Sequence, residues 1–511
     1  MPAQTKKCRA SLRISTGTFL SLFLAGCATL KPVELPESYA TPPSSAALWT
    51  SIEQIRADDW IHLLNEGDEA IEWRLRAIDS AMESIDLQTF LWDDDSVGLS
   101  VLRHLFDAAD RGVRVRLLLD DTFTSSHAEE IWNIDHHPNI EYRIYNPFRR
   151  RYDSVVVRQL MNLGEFGRLD HRMHNKALIV DNRVAIMGGR NLANEYFGAH
   201  EKANFRDLEL LLGGPHVTTL SDTFDNFWNN NWSFPEDLLI EERRGGLSPD
   251  EYAQWVKVTA KRILDEDAGQ RILAWREIAE NAFTGEVVLL ADEPAPDNPK
   301  LADELPVQLS TELMKLFDQA REELILISAY FVPTQEMEAA IERAEKRGVQ
   351  VRILTNSIRS NNHLAAHSVY RKHIHRLIQH GADLHEVRAL AKDRHVYMQM
   401  PVDTKHLGLH AKFILIDDYL SMIGSANLDP RSLRLNTEMA LLIRSKELNQ
   451  KLRELIQVDF HLRNAWHLQE QDDGSIHWVS DDVKLEKQPS GSTLQALEDW
   501  FLGLLPIEGE M

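Results

Sequence analysis

The fold of this chain is decided by one stretch, His174-Asn-Lys176-Ala-Leu-Ile-Val-Asp181, because that stretch occurs twice. The second copy reads His410-Ala-Lys412-Phe-Ile-Leu-Ile-Asp417. Six residues after each Asp comes a second matching block, Gly188-Gly189-Arg-Asn191 in the first copy and Gly424-Ser425-Ala-Asn427 in the second. Because every motif position recurs at the same spacing, we infer that the chain contains two related halves.

A further pair of blocks lies upstream and keeps the same offset. Arg-Gly-Val-Arg-Val-Arg at 111–116 returns as Arg-Gly-Val-Gln-Val-Arg at 347–352, and this pair, like the motif pair, is 236 residues apart. A common offset over separate blocks indicates that a whole domain was duplicated.

The hydrophobic pattern predicts the same order of elements in both halves, namely strand, helix, strand and then an apolar strand that carries the motif. The predicted ranges are 84–92, 97–111, 113–119 and 176–180 in the first half, and 324–332, 335–347, 349–354 and 412–416 in the second. We therefore expect an α/β fold with two mixed β-sheets flanked by helices.

Each half presents one imidazole beside one cation. His174 and Lys176 are two residues apart on a predicted strand and therefore point to the same face, as do His410 and Lys412. One imidazole can attack phosphorus while the other moves a proton, and two lysines can mask the charge of a phosphate. The four residues are therefore the candidate catalytic set of a site that processes phosphodiesters.

Four further residues form the candidate phosphate-binding set. Gly189 and Ser425 lie where small residues let the backbone approach a ligand closely. Asn191 and Asn427 begin the next segment and can donate hydrogen bonds to phosphate oxygens.

A structural interpretation competes with the catalytic one. A single His-x-Lys on a surface strand is common, and one copy alone would be interpreted as structural; two complete copies with matched spacing favour catalysis. Asp181 and Asp417 complete the repeated motif and belong to the candidate catalytic set by position. Since both lie at strand ends, we expect them to cap turns.

The repeated pattern resembles the phospholipase D superfamily, whose signature is His-x-Lys, four residues, Asp, six residues and Gly-Ser/Gly-x-Asn, used twice. The resemblance covers residues 50–511. Residues 427–438 are similar to the segment after the second motif in bacterial cardiolipin synthases, and 188–191 and 504–508 resemble the C-type branch of those enzymes. Gly189 stands where the superfamily pattern has Ser, so no hydroxyl contact is expected there.

The resemblance implies two halves related by a pseudo-twofold axis around one shared active site, with phospholipid substrates, a phosphohistidine intermediate and no cofactor. In the family's usual order His174 is the nucleophile and His410 the acid and base, although the sequence itself is symmetric. The implied reaction makes cardiolipin from phosphatidylglycerol and a second phospholipid. Hydrolysis of phospholipids, a nuclease and a lipid-binding lipoprotein without activity remain as alternatives.

Two acidic residues are candidates for orienting the histidines. Asp207 and Glu438 occupy matching places and enter apolar strands, where a lone carboxylate would be costly. We expect Asp207 to hold His174 and Glu438 to hold His410, each in its neutral and correctly oriented form. The four histidines between residues 361 and 376 have no patterned carboxylate or Cys beside them, so the sequence predicts no metal site.

The first residues have the pattern of a bacterial lipoprotein signal. A basic segment, an apolar segment and Leu24-Ala25-Gly26-Cys27 follow one another, which predicts cleavage before Cys27 and lipidation of that residue. We therefore expect a protein anchored in the cell envelope and facing the periplasm. Ala28 lacks the Asp associated with retention in the inner membrane and favours the outer membrane.

The predicted domain organisation follows from these observations. We expect a signal peptide at 1–26, a tether at 27–48, a first phospholipase D-like domain at 49–235, a helical linker and loop at 236–305, and a second such domain at 306–511.

Charge and one basic stretch bear on the partners. The formal net charge is −23, which repels polyanions and disfavours nucleic acid as a partner. Protein partners are not indicated by any pattern. Residues 149–151 are three arginines followed by apolar residues up to 166, which fits either a segment dipping into lipid or a packed helix with solvated arginines; we favour the helix.

Overall fold

The computed structural model describes residues 29–152, 154–239, 246–296 and 308–505, and within these it contains two large β-sheets with helices on their outer faces. The predicted signal segment and Cys27 lie outside the described residues. The strands are β1 Trp60–Leu64, β2 Ser84–Thr89, β3 Arg114–Asp120, β4 Ile140–Tyr145, β5 Ala177–Val180, β6 Val184–Gly188, β7 Ala203–Arg206, β8 Glu209–Gly213, β9 Ser233–Pro235, β10 Phe283–Thr284, β11 Glu286–Ala291, β12 Glu323–Ile327, β13 Gln350–Asn356, β14 Asp383–Val387, β15 His406–Leu409, β16 Phe413–Ile416, β17 Leu420–Gly424, β18 Met439–Arg444, β19 Ala465–Glu470, β20 Ile476–Val479 and β21 Lys484–Leu485.

The α-helices lie between these strands and after them. They are α1 Ala47–Ile55, α2 Gly67–Ser80, α3 Ser96–Asp110, α4 Ala128–Asp135, α5 Val155–Met161, α6 Phe166–Leu169, α7 His216–Trp228, α8 Pro249–Thr259, α9 Ala268–Asn281, α10 Gln308–Gln319, α11 Gln335–Lys346, α12 Leu364–Tyr370, α13 Ile374–Gln379, α14 Pro430–Arg434, α15 Lys446–Phe460 and α16 Thr493–Leu502.

The two large sheets have the same internal strand order. The first contains β1-β8-β6-β5-β2-β3-β4 and the second β11-β18-β17-β16-β12-β13-β14. In each, three strands are parallel (β2, β3 and β4; β12, β13 and β14) and the others are antiparallel. The predicted fold class, a duplicated domain with two mixed sheets flanked by helices, is confirmed.

The apolar runs that carry the motifs are buried on both sides. Leu178 of β5 packs into a core beneath the helices of the first half, whereas Ile179 points into a second core that it shares with Phe413 of β16. A third core lies beneath the helices of the second half and includes Ile414. Because alternate side chains of one strand enter different cores, the strand must be apolar throughout, and the shared core fixes the two halves against each other.

The motif aspartates cap turns at the far ends of these strands. The carboxylate of Asp181 accepts hydrogen bonds from the backbone N–H groups of Met82, Glu83 and Ser84. The carboxylate of Asp417 makes the equivalent contacts with the N–H groups of residues 321–323. These aspartates therefore have the turn-capping role expected of them: they join the turn after the motif strand to the start of a neighbouring strand. Their inclusion in the catalytic set, which rests on motif position alone, is not supported by these contacts.

Two segments differ from the predicted domain organisation. The described part of the predicted tether before α1 has no regular secondary structure but is fixed to the first half, because Leu30 N–H donates to Glu165 (2.8 Å) and Val33 N–H to the carbonyl of Asn231 (2.8 Å). The predicted linker supplies β11, which pairs with β18 and completes the second sheet. β11 is a short apolar run, residues 287–291, directly after the helical periodicity of α8 and α9, and the sequence pattern therefore predicts a linker instead of a strand there.

The basic stretch before the first motif contains the expected helix, α5, but its arginines are not all solvated. Arg151 forms an ion pair with Asp121 (2.9 Å), and Arg158 is buried and stacks on Phe148 (4.8 Å to the ring centroid). Apolar side chains of α5, including Leu160, are exposed. Among the described residues, none of the helices combines the length and hydropathy that crossing a bilayer requires.

Candidate active site

A cavity of about 840 Å³ lies between the two halves, and both motif histidines line it. His174 and Asn191 enter from the first half, and His410 and Asn427 from the second. One cavity therefore receives the corresponding residues of both repeats, as the duplicated motif predicts.

His174 is held by a carboxylate of the other half. Its Nδ1 lies 2.9 Å from both carboxylate oxygens of Glu438, which is fully buried. The hydroxyl of Ser425 also donates to Glu438, and the backbone N–H of Met439 donates to Ser425 Oγ (3.1 Å). The Nδ1–H of His174 therefore points to Glu438, which leaves Nε2 as the basic nitrogen of the ring.

His410 has the mirror-image arrangement. Its Nδ1 lies 2.7 Å from Oδ2 of Asp207, and the backbone N–H of Leu208 donates to Oδ1 of the same carboxylate (2.7 Å). Tyr196 and Phe205 pack against the imidazole ring, with ring centroids 4.9 and 5.4 Å away. These contacts fix the ring orientation and exclude water from its sides.

The predicted pairing of histidines with carboxylates is therefore wrong in its partners: each pair joins the two halves. The cause is a set of backbone hydrogen bonds between the two halves at the centre of the molecule. The N–H of His174 donates to the carbonyl of Thr437 (3.0 Å), one residue before Glu438, and the N–H of His410 donates to the carbonyl of Arg206 (2.8 Å), one residue before Asp207. Strands β7 and β15 pair in parallel beside this contact. Sequence alone places each carboxylate near the histidine of its own half.

Burial and the carboxylates set the charges of the pairs. Burial lowers the pKa of His410 to about 3 and also lowers the pKa of His174. The neighbouring imidazoles hold the pKa values of Asp207 and Glu438 below their usual range, against the opposing effect of burial. At neutral pH each pair is therefore a neutral imidazole beside an ionised carboxylate, which is the state a nucleophile needs.

The motif lysines contact the histidine segments. Lys176 Nζ donates to the carbonyl of His174 (2.7 Å), and Lys412 Nζ donates to the carbonyl of His410 and lies 2.9 Å from its Nδ1. Burial lowers the pKa of Lys176 to about 7 and of Lys412 to about 8. An anion bound between the halves favours the charged form of both amines, so binding of a phosphodiester and protonation of the lysines reinforce each other.

The predicted phosphate-binding residues divide into two groups. Asn191 and Asn427 are buried, line the cavity and have side-chain oxygens without a hydrogen-bond partner among the described residues. Gly189 and Ser425 support the carboxylates, and their assignment to phosphate binding stays a prediction. A Cβ atom on Gly189 would lie 2.2 Å from Oδ1 of Asp207, so only Gly leaves room for that carboxylate, and Ser425 binds Glu438.

Sequence reasoning missed several residues of the cavity wall. Phe90 packs edge-on against His174 (5.1 Å between centroids) and lies beneath the Lys176 amine (5.5 Å). Arg431 pairs with Asp170 across the two halves (2.6 Å), and burial raises the pKa of Asp429 to about 6. The Asp429-Pro-Arg431 signal was visible in sequence as part of the family resemblance, whereas Phe90 had no signal beyond its place at the end of a strand.

Two groups of potential metal ligands occur among the described residues, and neither contains a motif histidine. One is Asp383, His385 and His467, in which both imidazoles already contact the carboxylate (2.9 and 3.1 Å); the other is Asp93, Asp95 and Glu195. Of the histidines between 361 and 376, His363 lines the cavity while His367 and His373 are paired with carboxylates.

Comparison with known proteins gives consistent results. The profile of the family described as "Cardiolipin synthase, PLD-like domain" matches residues 75–228 and 313–459. The chain is 32% identical over 463 residues to cardiolipin synthase C of Escherichia coli K12, covering 87% of this chain and 94% of that protein. It is 27% identical over 405 residues to cardiolipin synthase B of the same strain, covering 78% and 80%.

A solved structure shares the fold. The crystal structure of the phosphatidylserine synthase of Haemophilus influenzae Rd KW20 aligns with a TM-score of 0.50 at 16% identity, over 80% of this chain and 89% of that one. At this identity the similarity concerns the fold alone.

Proposed function

The chain belongs to the phospholipase D-like family of the cardiolipin synthases and is an enzyme of that type; we propose that it transfers the phosphatidyl group of one phospholipid to phosphatidylglycerol, making cardiolipin. The observation that carries the proposal is the pair of buried histidine–carboxylate contacts, one from each repeat, on a single cavity.

The first half-reaction breaks the donor's phosphodiester. Lys176, Lys412 and the amides of Asn191 and Asn427 mask the phosphate charge. Nε2 of the neutral His174 attacks phosphorus, a P–N bond forms, and the P–O bond to the leaving alcohol breaks. The phosphate anion also favours protonation of His410, which then gives its proton to the leaving oxygen.

The second half-reaction reverses these roles. The neutral His410 removes the proton of the glycerol hydroxyl of a phosphatidylglycerol molecule, whose oxygen attacks phosphorus. The P–N bond breaks and His174 is regenerated. One phosphodiester replaces another, so no external energy source is required. The aromatic side chains of Phe90, Phe123 and Phe148 line the cavity and disfavour attack by water, which would yield phosphatidic acid.

Product analysis tests this function. Purified enzyme is given labelled phosphatidylglycerol, with and without phosphatidylethanolamine, and the lipids are measured by mass spectrometry. We expect cardiolipin as the labelled product, with free glycerol or ethanolamine identifying the donor's leaving group. Phosphatidic acid as the main product would instead identify a hydrolase, and the absence of any labelled product would reject the enzyme function proposed.

We also propose that Cys27 carries a lipid anchor and that the enzyme faces the periplasm, with the outer membrane favoured. The support is the complete Leu24-Ala-Gly-Cys27 pattern after a basic and apolar segment. Leu30, three residues later, is fixed to Glu165 at 2.8 Å.

Replacement of the anchor residue gives a direct prediction. Cys27→Ser should abolish metabolic labelling with palmitate, while the purified variant remains active on detergent-dispersed lipid, because no motif residue precedes His174. Cys8→Ser is the matched control, since Cys8 lies in the segment predicted to be removed, and it should be labelled as the native protein is. Equal labelling of native protein and Cys27→Ser would refute the anchor.

A further inference from the structure

Helix α16 (Thr493–Leu502) exposes its apolar side and buries a charged residue, the reverse of an ordinary surface helix. Its large apolar residues are exposed: Leu494, Leu497, Trp500 and Phe501 are each more than half exposed, as is Leu504 in the turn that follows. Asp499, by contrast, is 2% exposed. We call these five apolar residues the C-terminal apolar face. The spacing of Leu494, Leu497, Phe501 and Leu504 places them along one side of the helix.

This orientation is held by charged contacts on the buried side. The Asp499 carboxylate contacts His367 Nδ1 (2.8 Å) and Arg371 Nε (3.1 Å), both contributed by α12 and the residue after it. Gln495 donates to the carbonyl of Ile358 (2.8 Å). Since Asp499 and His367 are both buried, rotating the helix to hide its apolar side would leave this pair without its contact in the interior, at high cost.

The face lies directly behind one wall of the catalytic cavity. His363 and Ala366, at the start of α12, line the cavity, and the next residue of that helix, His367, binds Asp499. On the first half, Leu160 of α5 also lines the cavity and is 61% exposed. Exposed apolar residues are therefore contributed to the surroundings of one cavity by both halves.

The charges around the C-terminal apolar face differ from those of the whole chain. Arg359 packs beside Gly491 just before the helix, and Lys372 is exposed near the end of the helix, next to Arg371. Arg371 itself pairs with Asp499, so Arg359 and Lys372 are the cations that flank the face. Glu498 is the exposed acid of the helix itself, and the chain as a whole carries −23. Cations at both ends of an apolar face match an anionic bilayer surface.

We propose that the C-terminal apolar face docks on the surface of a bilayer containing anionic phospholipid, and so places the cavity at the membrane. The inference rests on the proposed function in one respect, namely that the substrates are bilayer lipids that must reach the histidines. A lipid surface accounts for the apolar stripe, for the Trp at its side and for the flanking cations together. A second copy of the chain, as the other occupant, would bring like charges together.

The test measures vesicle binding by the full chain in a Cys27→Ser background, so that no acyl anchor contributes. The vesicles are phosphatidylcholine with or without phosphatidylglycerol. The double variant Leu497→Gln/Phe501→Gln removes two apolar groups of the face. The matched control is Val258→Gln/Leu273→Gln, which changes two apolar residues that are at least as exposed, on α8 and α9, the helices packed against the first half.

We expect the double variant to weaken binding to phosphatidylglycerol-containing vesicles by about 10-fold or more, and turnover on those vesicles by a similar factor. Turnover of detergent-dispersed substrate should stay within about twofold, and the control should match the parent in every assay. Because both residues are exposed, the variants should unfold at the parent's temperature.

Three results would overturn the proposal. The first is that the double variant binds vesicles as the parent does. The second is an equal loss of turnover in detergent, which would make the face part of the folded site, and the third is conversion of a dimer to a monomer, which would make a second copy the occupant. Vesicle binding needs no turnover, so failure of the proposed function in product analysis is distinguishable from failure of docking.

Discussion

His174→Ala and His410→Ala should each lower phosphatidyl transfer by about 10⁴-fold or more, because each imidazole is needed in both half-reactions and neither role can be taken by the other repeat. Both side chains line one cavity, and each is fixed by a carboxylate that, in the described part of the chain, has no other imidazole partner. Transfer is measured as the initial rate of cardiolipin formation from detergent-dispersed lipid.

The control and the double variant sharpen this prediction. His375→Ala removes an exposed histidine of α13 and should leave the rate unchanged. The variant lacking both His174 and His410 should be no slower than either single variant, because groups that act as one unit are not additive. If either single variant keeps half of the activity, the halves act as separate sites and the account of a shared site fails.

The second large effect on transfer is expected from Asp207 and Glu438, the carboxylates that each contact the histidine of the other half. Asp207→Asn and Glu438→Gln should each reduce transfer by about 10²- to 10⁴-fold, because an amide can turn its NH₂ group toward Nδ1 and so force the proton onto Nε2, the nitrogen that must be free. Asp59→Asn, which alters a histidine–aspartate contact with His216 away from the cavity, is the matched control and should leave the rate unchanged.

The crossing itself can be tested by the half-reaction that each variant blocks. With a donor that has a good leaving group, Glu438→Gln should prevent formation of the covalent intermediate, since Glu438 contacts the proposed nucleophile His174. Asp207→Asn should allow the intermediate to form and slow its release, since Asp207 contacts His410. If each carboxylate instead oriented the histidine of its own half, Asp207→Asn would prevent formation of the intermediate and Glu438→Gln would slow its release.

Much of the fold could be predicted because the signals are local. Apolar runs such as Ala177–Val180 and the helix Ser96–Asp110 follow from periodicity, and the duplication fixes a second set at the same offset. Sequence reasoning does not predict β11, because its short apolar run closely follows the helical pattern of α9. The described part of the predicted tether was misjudged because its contacts, such as Leu30 with Glu165, involve residues distant in sequence.

The residues of the site could be predicted from the sequence, but the contacts between the two halves could not. Matching positions in the two repeats identified both histidines and both carboxylates, but the backbone hydrogen bonds at Thr437 and Arg206 join segments more than 200 residues apart, which no local pattern encodes. Gly189 and Ser425 were assigned to phosphate because a small residue near a motif fits either role. Only the close approach of Asp207 to Gly189 shows that a residue without a side chain is needed there to leave room for the carboxylate.

The most direct test of one active site built from both halves is the number and position of covalent intermediates. Enzyme quenched during turnover of a labelled phospholipid is digested, and the labelled peptides are measured by mass spectrometry under conditions that preserve phosphohistidine. We expect one phosphatidyl group per chain, on the peptide containing His174, and none in His174→Ala. Labelling of both His174 and His410, up to two groups per chain, would contradict a single shared site.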